Sequence, residues 1–154
     1  MHRVFLGVGA LAASALLSST AIASTAAASP QGVNSTSVSL KGSLAGGVKA
    51  ASSGDPVAFV FTAKNTSSTS QPVQLELMSV IGASETNQLC VDAHGSTFNP
   101  DGSFCEPSSF KAGQTSSALI YATVGTALSF SAKLCVHNAT TGVNAPCATV
   151  SAKG

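Results

Sequence analysis

Four cysteines, Cys90, Cys105, Cys135 and Cys147, and two histidines, His94 and His137, are the residues of this chain best suited to chemistry once an export leader is set aside. Cysteine thiolates and imidazoles could together hold zinc or form a thiol–imidazole pair, but no C-x-x-C, H-x-x-x-H or H-E-x-x-H spacing occurs. Asp92, Asn99, Asp101 and Glu106 crowd one loop and offer oxygens suited to calcium, without the twelve-residue EF-hand pattern. Glu76 with Glu85, or Asp92 with Asp101, are the carboxylate pairs available for acid–base work. The alternation around Glu76 predicts a solvated outer residue there. No G-x-S-x-G is present to mark a serine nucleophile. The expectation is therefore no catalytic residue, no metal and no cofactor, with all four cysteines in disulfides and the binding residues left open.

The leader that makes disulfides the natural reading lies at residues 1–23. Met1-His2-Arg3 supplies a positive start, Val4 to Leu17 an apolar run, and Ala21-Ile22-Ala23 a small-residue cleavage site before Ser24. A cut after Ala26-Ala27-Ala28 is nearly as favourable. The apolar run is shorter than the roughly 20 residues that span a bilayer, and no second one follows. The processed chain is expected to be secreted, extracellular or loosely wall-associated, with no membrane anchor. Such compartments permit stable disulfides.

The processed chain loses Arg3, its only arginine, which leaves six lysines against three aspartates and three glutamates. A near-neutral surface gains little from releasing counterions, so nucleic acid is excluded as a partner. Residues 24–32 are expected to be a flexible mature N-terminus, and 33–154 a single domain.

Within that domain short alternating runs are separated by turn residues. Val33 to Leu40 ends at Lys41-Gly42, and Ala45 to Gly54 reads as a loop. Val57, Phe59, Phe61 and Ala63 share one face, as do Val73, Leu75 and Leu77. Ala118, Ile120 and Ala122 form the inward set of the next strand, whose other face, with Leu119 and Tyr121, is apolar too. Leu128, Phe130, Ala132, Leu134 and Val136 are the inward set of another, and Ala148, Val150 and Ala152 that of the last. No sustained helical period follows the leader. The pattern predicts an all-β fold, an immunoglobulin-like antiparallel β-sandwich of about seven strands.

Phase also predicts a disulfide pairing. Cys135 and Cys147 are both out of phase with their strands' core residues and flank a turn near Asn138 to Asn144, so they meet on the outer face of one hairpin. That register sets Lys133 opposite Thr149 and Ser131 opposite Ser151. Cys90 and Cys105 are left to brace the polar segment between them; other pairings remain open to sequence alone. His137 is expected to point to solvent beside Cys135, and His94 to lie in a polar loop. The sequons at Asn34, Asn65 and Asn138 read as solvated turns.

The stretch Gly54-Asp55-Pro56-Val57-Ala58-Phe59-Val60-Phe61-Thr62-Ala63-Lys64-Asn65-Thr66 resembles the Gly-Asp-x-Val-x-aromatic-x-apolar-x-x-x-Asn-Thr strand of the conserved-repeat family of bacterial secreted domains, known as domain of unknown function eleven. Cys105 to Val124, with Ala112-Gly113-Gln114-Thr115 ahead of a strand, is similar to that family's second half. The Asp-x-Leu-Pro segment of many members is absent. The resemblance covers roughly residues 33 to 152 and implies an immunoglobulin-like sandwich on a bacterial surface or in its medium, a spacer or adhesive module without catalytic residues. The function expected is a non-enzymatic structural or adhesive envelope module, with cell-wall or surface proteins or polysaccharide as candidate partners. The alternative is a small secreted binder, either a carrier of an apolar ligand or a protease inhibitor using its disulfide-braced loop.

Overall fold

A computed structural model describes residues 37–105 and 110–154. Strands β1 (Val38–Leu44), β2 (Pro56–Asn65), β7 (Thr115–Val124), β4 (Ala83–Val91) and β5 (Thr97–Phe98) lie in that order in one sheet. Strands β6 (Phe104–Cys105), β3 (Val73–Ile81), β8 (Ser129–Asn138) and β9 (Asn144–Lys153) form the second. Every pairing between these strands is antiparallel. Setting aside the two-residue strands β5 and β6, seven long strands remain, in the A-B-E-D over C-F-G order of a constant-type immunoglobulin sandwich.

Alternation builds the core as expected. Phe59, Phe61, Ala63, Ala118, Ile120 and Ala122 project from one sheet onto Leu75, Phe130, Ala132, Leu134 and Val136 of the other, all of them buried. Phe59 of β2 and Phe130 of β8 meet edge to face with ring centroids 6.0 Å apart, at the place where antibody domains put their inter-sheet disulfide.

Several expectations change. The first strand does not stop at Lys41-Gly42. It continues to Leu44, because a Cβ on Gly42 would lie 2.5 Å from Val150 Cγ2 and 2.8 Å from Phe61 Cε1, so this glycine lets β1 close against β9. Residues 33–36 of that expected strand, the leader and the mature N-terminus lie outside the described residues. Strand β4 carries no alternating apolar signal until Gln88 and Leu89, since Ser84 to Asn87 are polar and exposed. Leu128 is not an inward residue: β8 begins one position later, and Leu128 is 91% exposed.

The two open sides of the sandwich are closed differently. On one side β1 packs on β9, and Ala50 forms a parallel bridge with Lys153. On the other, the Cys90–Cys105 disulfide ties β4 of one sheet to β6 of the other. Both of its cysteines are fully buried, and Gln88 Nε2 donates to Cys105 Sγ at 3.5 Å. This bond is therefore an inter-sheet core element and more than a brace for a polar loop.

Candidate functional site

The outer face of the four-stranded sheet gathers the side chains most capable of chemistry. Cys135 and Cys147 are direct cross-strand partners and form the second disulfide, with Lys133 opposite Thr149 and Ser131 opposite Ser151. Cys147 is exposed, but Cys135, although it points outward, is only 1% exposed. Its neighbours in the register are Glu76 on one side and Cys147 on the other.

One step along the same hairpin, His137 is the partner of Asn144. His137 Nδ1 and Asn144 Oδ1 are 2.6 Å apart, while Asn144 Nδ2 donates to Glu76 Oε2 at 2.7 Å. Because the amide nitrogen serves Glu76, the amide oxygen must accept, and neutral His137 therefore carries its proton on Nδ1. Glu76 Oε2 lies 3.5 Å from the same Nδ1. The Phe104 ring stands edge-on to the imidazole at 5.3 Å. Neither Glu76 nor His137 is the solvated group that alternation implied: their side chains are 19% and 21% exposed. The amide of Asn144 couples them across two strands, and Asn144 gave no signal in the sequence because it sits at the mouth of a turn.

An imidazole oriented by an amide and a carboxylate is one half of a base-and-nucleophile device. The thiols that could complete it are absent, since the adjacent cysteines are bonded to each other. Glu85, the other member of one candidate acid–base pair, is exposed on β4 in the opposite sheet.

The polar loop is organised as turns. Asp92 Oδ1 accepts from the backbone N–H of His94 at 2.8 Å and of Ser96 at 2.9 Å, which is the local use of aspartate in an Asx turn. His94 is exposed, Asn99 and Asp101 are exposed beyond it, and Glu106 lies outside the described residues. Among the described residues no group of three or more His, Cys, Asp or Glu side chains is placed to share a metal ion.

The asparagines of two sequons are buried, contrary to the expectation of solvated turns. Asn65 Nδ2 donates to Thr69 O at 2.8 Å and to Phe110 O at 2.9 Å, and its Oδ1 accepts from Ser67 N and Ser67 Oγ. This single side chain knits the end of β2 to the segment that leads into β7. Asn138 Oδ1 accepts from the N–H groups of Thr140 and Thr141, ordering the β8–β9 turn. Asn34 lies outside the described residues.

No family model and no curated protein sequence matches the chain. Among solved structures it is similar to the ASH/PapD-like domain of human CEP192 (PapD-like domain 7), at 12% identity over 77% of this chain and 85% of that one, with a TM-score of 0.42.

Proposed function

We propose that this protein is a secreted, non-enzymatic envelope module that works by contact. The observation that carries the reading is how the reactive side chains of the described residues are used. All four cysteines are in disulfides, Asp92 and Asp55 accept from turn N–H groups, and His137, Asn144 and Glu76 hold one another on a sheet face. Catalysis requires a tuned acid, base or nucleophile with a place for substrate beside it, and these groups are spent on structure. The two disulfides are of a kind that oxidising compartments sustain, and no helix among the described residues is long and apolar enough to cross a membrane. The motif resemblance to secreted bacterial repeat domains supports the same reading, and wall polysaccharide or a surface protein is the partner it suggests.

The test is to produce the full chain with its own leader in an exporting bacterium and to fractionate medium, wall and membrane. Recovery in the medium, or in the wall fraction and released by salt, is the expected outcome. The double variant His94→Gln/His137→Gln should bind isolated wall as the parent does. A hydrolytic activity in the purified protein that this variant loses, while keeping its melting temperature, would overturn the reading.

A further inference from the structure

The five-stranded sheet carries an apolar surface on its outer side. Val60 of β2 is the partner of Leu119 of β7, which is the partner of Leu89 of β4, and Ala58 is the partner of Tyr121 in the adjacent row. All five are out of phase with Phe59, Phe61 and Ile120 and face away from the core. All retain some exposure, and Tyr121 reaches 36%.

The chain leaving β1 borders this face. Leu44 leads into a 3-10 turn, Ala45–Gly47, in which Gly46 and Gly47 take φ values of 66° and 69° that favour glycine. Leu44, Ala45 and Val48 border a half-open cavity of about 310 Å³ whose other lining residues are Pro56, Val57, Ala58 and Tyr121. The segment that follows is anchored at three places. Ala51 N–H donates to Lys153 O at 3.1 Å, Gly54 N–H to Val124 O at 2.9 Å, and Ser52 N–H to Asp55 Oδ2 at 2.8 Å. The wall is thus formed before anything binds, which lowers the ordering cost of binding.

The chemistry of the lining defines the ligand. No charged side chain lines the cavity, so an ion would lose hydration there without compensation. Its volume lies at the lower end of the range of about 300–1,000 Å³ typical of small-molecule sites. The Tyr121 hydroxyl makes no hydrogen bond to another described residue, and Tyr121 is the one lining residue whose side chain carries a polar group. We propose that this cavity binds a small, uncharged one- or two-ring apolar molecule whose single hydrogen-bonding group meets the Tyr121 hydroxyl. The proposal does not depend on the contact function above, because the cavity lies on the opposite sheet from the His137 cluster.

Tyr121 is the only tyrosine and the chain has no tryptophan, so intrinsic emission reports from this cavity alone. The probe is 1-naphthol, an uncharged two-ring molecule with one hydroxyl, titrated by calorimetry and by quenching of the tyrosine emission. One saturable site per chain, with the same midpoint by both methods, is expected. Ala58→Glu, which sets a carboxylate across from Tyr121, and Val48→Asp should each abolish binding while circular dichroism stays native. Tyr121→Phe should weaken binding about two- to tenfold, the range of one neutral hydrogen bond. Met78→Ala, on the other sheet, should leave it unchanged. Absence of a saturable site overturns the proposal, as does binding that survives in Ala58→Glu or Val48→Asp. A parent that sediments as a dimer, dissociates on Ala58→Glu and binds no naphthol would show that a second copy of this chain covers the face, and would equally overturn it.

Discussion

Mild reduction of the folded protein should open Cys135–Cys147 and spare Cys90–Cys105. The two bonds join residues 12 and 15 positions apart, and in the chain-entropy model loops of that size each contribute about 3 kcal/mol. Loop length therefore cannot rank them, and access decides. An attacking thiolate must reach a sulfur along the S–S axis. Cys147 is an exposed residue on an edge strand, whereas Cys90 and Cys105 are both 0% exposed between the sheets. Reaching them requires opening β4 or β6 away from the core, a sub-global event with its own free-energy cost.

The magnitude follows from domain size. At roughly 4 °C per kcal/mol for a domain of this length, loss of Cys135–Cys147 should lower Tm by about 12 °C and leave a folded sandwich. Cys90→Ala/Cys105→Ala should lower it further, because two buried sulfurs are removed from the core in addition to the loop constraint. The assay is timed dithiothreitol treatment, alkylation and peptide mapping, with Tm of each species by circular dichroism. Labelling of Cys90 and Cys105 as early as Cys135 and Cys147, or a smaller Tm loss for the Cys90/Cys105 variant, would refute the reasoning from burial.

Phe61→Ser should cost about 4 kcal/mol or more in urea unfolding, through an aromatic cavity and a buried hydroxyl, whereas Glu76→Ser should cost about 1 kcal/mol through its bond to Asn144. Equal midpoints for the two would refute the assigned faces. Gly82→Ala should destabilise by about 2 kcal/mol or more by thermal melting, since φ there is 70° and a Cβ would meet the Ser129 carbonyl; a neutral result would contradict that approach. Asn65→Ala should cost about 3 kcal/mol, because it strands the Phe110 and Thr69 carbonyls, and Asn65→Asp should not restore it, since a carboxylate cannot donate to them. Full rescue by aspartate would show that only the bonds to Ser67 matter.

Much of this fold is legible from period two alone. Val57 to Ala63 and Phe130 to Val136 name their own inward faces, and the phase of Cys135 and Cys147 predicts a register that the structure reproduces. What the pattern misses has physical causes. Strand β4 hides because Ser84 to Asn87 are polar and exposed on both faces, so no buried side imposes alternation there. Cys90–Cys105 hides as a core element because β6 is only two residues long, too short to carry any periodic signal.

The outward faces expose a deeper gap in what alternation can say. Period two assigns each side chain to one face or the other, but it gives no information about the chain that folds over the outer one. Glu76 and His137 looked solvated because they are out of phase with the core, yet a turn asparagine and the Phe104 ring cover them. Tyr121 and Leu119 are out of phase in the same way, and there the chain after β1 borders Tyr121, which stays 36% exposed, and leaves a half-open cavity. The two outer faces thus differ in cover as well as in chemistry. On one sheet polar partners satisfy one another and leave nothing for a ligand to contribute. On the other the Tyr121 hydroxyl has no partner among the described residues and the walls are apolar, which is the condition under which a ligand gains by entering. Of these two outer faces, binding is therefore expected at the cavity beside Tyr121, and the His137 cluster is expected to hold the β8–β9 hairpin to β3.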